Sequence, residues 1–270
     1  MKIGVILTVH NRWRLTDRCL KSLIGSIELC DNLSDYHVYI VDDGSKDKTA
    51  LMLSKYDSEL VTVVKGSGNL YWAGGMVKGM NVALGDKNIT HFALINNDVV
   101  FNTEAFTTVL QDYFGRNDCI IVGAFQNESN NKLSYGLRDR RLNFVPLGKK
   151  GVYPNGNFIF VSRASILLCG GLSKCYQHGY ADFEFGIRLL RHNRLLYASS
   201  DYLGRCEGRK NKIAAWKDAK NSLNKRLTDF RSPTGFGISD YKVFLRDSGN
   251  CYYLNLLNVY LKVIFPKLWK

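Results

Sequence analysis

Residues 38–45 read VYIVDDGS and residues 92–98 read FALINND, and in each segment four apolar residues lead into acidic or amide side chains. A short, wholly apolar run of this kind predicts a strand buried on both faces, as in a parallel sheet. Open α/β folds bind their ligands at the carboxyl ends of such strands. We therefore expect Asp42, Asp43 and Asp98 to lie at the ligand-binding edge of a sheet, where carboxylates hold a metal ion or a ribose.

Strand-like and helix-like segments alternate through the first half of the chain. Strands are predicted at residues 3–9, 37–41, 61–64, 91–95 and 119–122, and helical periodicity occurs at residues 14–30, 74–84 and 103–114. Repeated strand-then-helix order indicates a parallel sheet with right-handed crossovers. We predict an α/β fold with a Rossmann-like, mostly parallel sheet flanked by helices.

The second half is less regular. Residues 124–156 are rich in Asn, Ser, Gly, Arg and Lys and predict a long loop. A strand is predicted at 157–161 and helices at 165–171 and 182–192. Residues 205–231 hold nine Lys and Arg against three acids, and residues 251–265 are apolar except for Asn255, Asn258 and Lys262.

The composition suits a folded protein with a polyanionic ligand. Hydrophobic residues make up 46% of the 270 residues, too many for a disordered chain, and the formal net charge is +13. The seven cysteines are odd in number and form no Cys-x-x-Cys pair, so we expect buried, reduced thiols. The sequence enters its first strand-like run without a signal-peptide pattern, and a cytoplasmic location is expected.

Four motifs follow one another along the chain: TVHNR at residues 8–12, VDDGS at 41–45, NND at 96–98 and ADFE at 181–184. Together they resemble the ordered signature of glycosyltransferase family 2. The resemblance implies the GT-A fold, a nucleotide-sugar donor and inversion of the anomeric centre. Within that family, the chain is similar to bacterial enzymes of surface-polysaccharide synthesis, of the O-antigen or rhamnosyl type.

The same resemblance divides the chain into two parts. We expect a GT-A catalytic domain at residues 1–204, with a nucleotide-sugar half (1–123) and an acceptor half (124–204). A basic helical extension follows at residues 205–270.

By this resemblance, Asp43 binds the donor base. A carboxylate at a strand end accepts the ring N–H of uracil or thymine in a charge-assisted hydrogen bond. The other donor-binding residues that the resemblance implies are Thr8, His10, Asn11, Arg12, Asp42, Asn69, Trp72, Gly74 and Asn97. A helix beginning near Gly74 would direct its N–H groups at phosphate. As alternatives, residues 42–45 also suit a turn with a helix cap, and Trp72 suits an ordinary core.

Asp98 is implied as the ligand of Mg²⁺ or Mn²⁺, which offsets the charge that develops on a leaving diphosphate. The family usually presents Asp-x-Asp, whereas Asn96 and Asn97 precede Asp98 here, and residues 204–207 lack the histidine that members often carry. We expect a cation held largely through the donor phosphates. The alternative is a polar loop after a strand.

Asp182 is implied as the general base that takes the proton of an acceptor hydroxyl. Asp182 and Glu184 lie about 200° apart on a regular helix, so they cannot face one pocket together. Glu184 is predicted to pair with Arg188, one turn later. Tyr180 suits either the acceptor site or packing, and Asp182 could instead cap its helix.

These roles imply an inverting glycosyltransferase that moves a sugar from a UDP- or dTDP-sugar to a hydroxyl of a glycan or lipid-linked acceptor. A non-catalytic nucleotide-sugar-binding module stays open, because an acid before Asp98 and the histidine are missing. A nucleic-acid-binding protein is suggested by residues 205–231. That stretch holds only Trp216 and Phe230 as aromatic residues and no recognisable motif, so we expect no nucleic-acid partner.

The C-terminal segment predicts an amphipathic helix on an anionic membrane surface. Residues 252–265 form about 21 Å of helix, too short to span a bilayer of roughly 30 Å. Trp269 and Lys270 suit the interface. The basic residues expected to add attraction to the leaflet are Arg209, Lys210, Lys212, Lys217, Lys220, Lys225 and Arg226. Packing on the catalytic domain, or a dimer, is the alternative.

Overall fold

The computed structural model describes residues 1–33, 35–56, 58–116, 118–207 and 213–269, without the side chains of residues 268 and 269. Arg209, Lys210, Lys212, Lys270 and the side chain of Trp269, all predicted to meet a membrane, lie outside the described residues.

The strands are β1 (Lys2–Val9), β2 (Asp35–Asp42), β3 (Val61–Lys65), β4 (His91–Asn96), β5 (Val99–Phe101), β6 (Ile120–Gln126), β7 (Leu133–Tyr135), β8 (Lys150–Gly151), β9 (Phe158–Ser162) and β10 (Leu196–Cys206). The helices are α1 (Trp13–Glu28), α2 (Thr49–Leu53), α3 (Tyr71–Ala83), α4 (Ala105–Phe114), α5 (Arg163–Cys169), α6 (Ala181–Arg191), α7 (Leu223–Arg231), α8 (Ile238–Ser248) and α9 (Tyr252–Ile264).

One sheet runs through the molecule in the order β3-β2-β1-β4-β9-β6-β10-β5. The first four strands in this order are parallel, as predicted for the nucleotide half. From β9 onward the sheet is mixed, because β9 pairs antiparallel with both β4 and β6. The register places Val9 beside Asp42 and Thr8 beside Asn96, so the polar strand ends meet at one edge.

Helices cover both faces of this sheet. Alternate residues of β1 face opposite sides: Val5 and Leu7 pack in the cluster that contains α1, and Ile6 packs in the cluster that contains α3. Gly75 brings α3 close to β1, since a Cβ there would lie 2.3 Å from Cγ2 of Thr8. A larger residue would push the helix away from the strand end.

Several elements differ from the predictions. The predicted loop 124–156 contains the end of β6 and the short strands β7 and β8. The strands β5 and β10 were not predicted, because β5 has three residues and β10 includes Ser199, Ser200 and Asp201 instead of a continuous apolar run. Five of the cysteines are buried free thiols, as expected, whereas Cys175 and Cys251 are free thiols at exposed positions, so the expectation of burial is wrong for these two.

The C-terminal helices pack together and against the catalytic half. Phe230, Ile238, Val259 and Val263 form a small core between α7, α8 and α9, and α8 packs on α6. Arg226 is buried, and its Nε donates to the carbonyl of Val263 at 2.8 Å. The expectation that Arg226 meets a lipid leaflet is therefore wrong, because its guanidinium satisfies carbonyls at the end of α9.

Helix α9 has two apolar faces. Val259 and Val263 face the small core, whereas Tyr253, Leu254 and Leu257 are 81%, 68% and 56% exposed. The predicted alternative of packing on the domain thus describes only one face of the helix. Across the described residues, no helix combines the length and the apolar character needed to cross a membrane.

Candidate active site

The loops after β1 and β2 are joined by hydrogen bonds. His10 Nδ1 donates to the carbonyl of Asp43 at 2.7 Å, and the backbone N–H of Asn11 donates to Ser45 Oγ at 2.7 Å. Asn11 Oδ1 accepts in turn from the N–H of Lys46 at 2.8 Å. Asn11 and Arg12 both have positive φ, which reverses the chain between β1 and α1. The TVHNR and VDDGS motifs are therefore one structural unit.

Asp43 is buried and organises the glycine-rich loop before α3. Its Oδ1 accepts from the N–H of Gly68 and its Oδ2 from the N–H of Tyr71, both at 2.8 Å. Asp42 Oδ1 accepts from the N–H of Ser45 at 3.0 Å and forms the turn. The turn-and-cap alternative thus describes part of what these residues do. Each carboxylate oxygen of Asp43 has a second lone pair available to a nucleobase N–H.

The glycine-rich loop differs from the prediction at Gly74. Helix α3 begins at Tyr71, and the N–H of Gly74 already donates to the carbonyl of Leu70 at 3.1 Å. The expected helix start near Gly74 is wrong, and this N–H does not point at a phosphate. Asn69 is exposed on the same loop.

Trp72 contacts both Thr8, near the end of β1, and Gly156, whose N–H donates to Asp182. Thr8 Oγ1 donates to the carbonyl of Trp72 at 3.5 Å. The indole packs so tightly on Gly156 that a Cβ there would lie 2.3 Å from Trp72 Cζ2. The buried Nε1 of Trp72 has no hydrogen-bond partner among the described residues. A buried donor left unpaired in this way is uncommon in folded proteins.

Asp98 lies in the turn between β4 and β5. Burial raises the pKa of its carboxyl group, and the nearby Arg12 guanidinium opposes that rise. Cys206 Sγ lies 4.0 Å from Asp98 Oδ1. Burial and the Asp98 charge raise the pKa of the Cys206 thiol to about 12.

The two asparagines before Asp98 face different surroundings. Asn97 is buried and its Nδ2 donates to Thr16 Oγ1 of α1 at 2.8 Å. The expectation that Asn97 contacts the donor is not supported by this geometry, because the side chain is used in packing against α1. Asn96 Nδ2 donates to Asn157 Oδ1 at 2.9 Å, and Asn96 Oδ1 is buried without a partner among the described residues.

These residues fit a divalent cation that arrives with the donor. Within the described ranges, no three His, Cys, Asp or Glu side chains are grouped to hold a metal ion by themselves. Mg²⁺ is commonly held by one or two carboxylates together with substrate phosphates. Asp98 would be the carboxylate of such a site, and the unpaired Asn96 Oδ1, at the end of β4 next to this turn, is a neutral oxygen that could join it.

Asp182 lies in the first turn of α6, and its carboxylate contacts Gly156, the residue that packs on Trp72. Its Oδ2 accepts from the N–H of Gly156 at 3.0 Å, and its Oδ1 accepts from the N–H of Phe183 at 2.9 Å. Tyr180 precedes the helix as its N-cap residue and makes no side-chain cap bond there. Asp182 is therefore tied both to its own helix and to the segment that packs on Trp72.

Glu184 behaves as predicted. It is buried and pairs with Arg188 through two bonds of 2.6 Å, Nε to Oε1 and Nη2 to Oε2. Such a bidentate pair fixes both side chains. Of the two acids in the ADFE motif, Asp182 is therefore the candidate base.

A role for Asp240 of α8 was not predicted from the sequence. Its carboxylate accepts from the backbone N–H groups of Gln177, His178 and Gly179, and the carbonyl of Gln177 accepts from the N–H of Ala73 in α3. Asp240 thereby holds the loop that joins α5 to α6, and this loop contacts α3 through Gln177. Nothing in its local sequence, ISDYKV, distinguishes it from an exposed helical acid.

The sequence profile of Glycosyl transferase family 2 matches residues 4–172. The chain belongs to this family. Among solved structures, this family 2 member is similar to S. aureus TarS 1-349, with 15% identity, a TM-score of 0.56, and coverage of 97% of this chain and 72% of that one. Mannosyltransferase PcManGT from Pyrobaculum calidifontis, in complex with GDP-Man and Mn²⁺, has 13% identity, a TM-score of 0.56, and coverage of 99% and 75%.

A complex of S. aureus TarS 1-349 with UDP-GlcNAc is also similar, with 14% identity, a TM-score of 0.54, and coverage of 97% and 73%. At these identities the likeness shows a common fold, which is the predicted GT-A architecture with its helical C-terminus. No curated protein matches the sequence of this family 2 member. Membership supports glycosyl transfer and disfavours the nucleic-acid-binding interpretation.

Proposed function

We propose that this family 2 protein is an inverting glycosyltransferase that uses a UDP- or dTDP-sugar and a hydroxyl acceptor on a glycan or lipid-linked glycan. The observation that supports it best is the series of contacts from Thr8 through Trp72 and Gly156 to Asp182. It connects the strand end proposed to bind the nucleotide with the carboxylate proposed as base. The similar structures with UDP-GlcNAc and GDP-Man are consistent with a nucleotide-sugar donor.

In the proposed reaction, Asp182 accepts the proton of the acceptor hydroxyl. The hydroxyl oxygen forms a bond to the anomeric carbon from the face opposite the diphosphate. The bond from that carbon to the diphosphate oxygen breaks, and its electron pair leaves with the nucleoside diphosphate. When Mg²⁺ or Mn²⁺ is bound, Asp98 and the donor phosphates would hold it, and it would supply charge stabilisation for that leaving group.

The residues on the donor side have separate roles in this proposal. Asp43 accepts the N3–H of uracil or thymine, with Thr8, His10 and Asp42 beside the base. Arg12, next to Asp98, contributes positive charge near the diphosphate. Asn11 positions this loop through Ser45.

The test varies the nucleotide and leaves Asp43 intact, because this carboxylate also holds α3. Calorimetry with Mn²⁺ present should give the highest affinity for UDP or dTDP. CDP has no proton at N3, so it should bind roughly tenfold or more weakly, the cost of one lost charge-assisted hydrogen bond. Equal affinities for UDP, dTDP, CDP and GDP would exclude the assignment of Asp43. Mass spectrometry of the matching nucleotide sugars should show slow hydrolysis of one of them.

A further inference from the structure

A large cavity lies beside the contact between the catalytic half and the C-terminal helices. It has a volume of about 1140 Å³ and is bordered by the start of α6, the segment before α7, and the helices α8 and α9. Its described lining includes no residue of the proposed donor site. The cavity is therefore a second space, next to α6, whose first turn contains Asp182.

The rim of this cavity is basic. Arg140, Lys217, Lys220, Lys262 and Lys267 line it, against the single acid Asp218 among its described residues. Lys217 lies over the ring of Trp216, with 5.8 Å between Nζ and the ring centroid. A concave surface with several cations and one acid attracts a multiply charged anion such as a diphosphate.

One wall of the cavity is aromatic. Tyr180 stacks on Phe244 at a centroid distance of 5.3 Å, and Tyr153 stacks on Phe183 at 4.9 Å. These four residues all line the cavity. Tyr180 and Phe183 lie two residues before and one residue after Asp182, so this wall is built from the same segment as the proposed base, whose own side chain does not line the cavity among the described residues. It offers apolar surface to the carbon face of a sugar or to a hydrocarbon chain.

Helix α9 connects this cavity with the exposed apolar surface described above. Asn255, Val259 and Lys262 of α9 line the cavity, whereas Leu254 and Leu257 of the same helix are exposed. A ligand anchored in a leaflet that contacts the exposed face would reach the cavity across a single helix.

We propose that this cavity binds a lipid-linked diphosphate acceptor. The diphosphate lies among the lysines of the rim, the lipid leaves along α9, and the first sugar lies on the aromatic wall with a hydroxyl directed at Asp182. This inference rests on the proposed glycosyl transfer and specifies the class of its acceptor. The combination of cationic rim, aromatic wall and adjacent exposed apolar helix face matches an amphiphilic anion better than a neutral glycan.

Calorimetry with farnesyl diphosphate tests the inference on the full chain. Wild type should bind it, while inorganic diphosphate and farnesol should each bind at least roughly tenfold more weakly, because each lacks half of the recognised chemistry. Lys217→Glu combined with Lys220→Glu should weaken binding roughly tenfold or more. Lys55→Glu combined with Lys87→Glu changes the net charge equally with exposed lysines that do not line the cavity, and should alter binding by about twofold or less.

Equal binding by both double variants would overturn the cavity assignment. Equal binding of inorganic diphosphate would overturn the lipid part, and equal binding of farnesol would overturn the role of the cations. A long-chain polyphosphate that binds while farnesyl diphosphate does not would show that the anion comes from a soluble polymer and would also overturn the proposal. UDP affinity, measured in the same variants, should be unchanged; absence of UDP binding in wild type would instead contradict the proposed function.

Discussion

The carboxylate of Asp240 lies 2.8 Å from the backbone nitrogen of His178, and it also accepts from the N–H groups of Gln177 and Gly179. A buried side chain of α8 thus holds the loop that enters α6, the helix of the proposed base. Asp240→Asn replaces one acceptor oxygen by a donor. We expect a loss of roughly 2 to 3 kcal/mol of unfolding free energy, measured in urea, because buried N–H groups lose their acceptor.

The same variant tests positioning of the base. Asp240→Asn should lower turnover of the transferase more than it lowers the affinity for UDP, since the carboxylate accepts directly from the loop before α6 and reaches α3 only through Gln177. Asp201→Asn, at an exposed carboxylate, is the matched control. If turnover per folded molecule is unchanged in Asp240→Asn, the loop matters for stability alone.

Asp182→Asn should reduce transfer by roughly two orders of magnitude or more, because it removes the proton acceptor. The amide oxygen can still accept from the N–H of Gly156, so the fold should survive. Product formation and UDP affinity are measured together. Transfer close to the wild-type rate, with the melting temperature preserved, would remove Asp182 from the reaction.

Asp98 should make metal-supported donor binding dependent on pH. Burial raises the pKa of its carboxyl group, so the proton competes with Mn²⁺ up to a higher pH than for an exposed aspartate. UDP affinity with Mn²⁺ should rise as pH increases through this raised pKa. EDTA should abolish the effect, and Asp98→Asn should bind UDP with little pH dependence.

Arg12 offers a check on the direction of that shift. The Arg12 guanidinium lowers the pKa of Asp98, so Arg12→Ala should move the pH midpoint upward. Arg14→Ala, at an exposed residue in the first turn of α1, should leave the midpoint in place. A midpoint that moves downward in Arg12→Ala would show that the two charges do not interact as the structure indicates.

His91 should make the fold sensitive to acid. It stacks on Phe160 at a centroid distance of 5.4 Å, and burial, followed by the N-terminal charge, lowers its pKa to about 4. On unfolding, this imidazole regains its ordinary pKa of about 6.5, so stability is lost as pH falls from about 6.5 to about 4. The loss from this group is roughly 3 kcal/mol. His91→Phe should reduce this acid-dependent loss of unfolding free energy, measured by urea titration at several pH values. His192→Gln, at an exposed histidine, should not reduce it.

The exposed face of α9 should bind anionic lipid. Leu254→Asn combined with Leu257→Asn should prevent flotation with anionic liposomes, because the helix loses apolar surface without losing its buried face. Leu167→Asn combined with Leu168→Asn on α5 removes an equally exposed apolar pair elsewhere. These substitutions are cleaner than removing residues 249–270, since truncation would also delete the core residues Val259 and Val263. If both double variants still float with the liposomes, the exposed face of α9 is not the membrane-binding surface.

The local pattern determined the donor half of the sheet. The apolar runs before Asp42 and Asn96 predicted buried parallel strands, because only strands covered on both faces can be apolar at every position. Since parallel strands end at one edge, the pattern of residues was enough to place their polar ends together. The helical spacing likewise predicted that Asp182 and Glu184 point to different sides of their helix.

Tertiary structure decided what each side chain does there. Asn96 and Asn97 are adjacent and chemically identical, yet one lies by Asn157 and the other packs on Thr16, because only the packing of α1 distinguishes their surroundings. The roles of Asp240 and Arg226 depend on partners 63 and 37 residues away. Local periodicity contains no information about contacts at that separation, so the sequence by itself determined the strands and their polar ends, and the fold decided which polar groups remained open to a ligand.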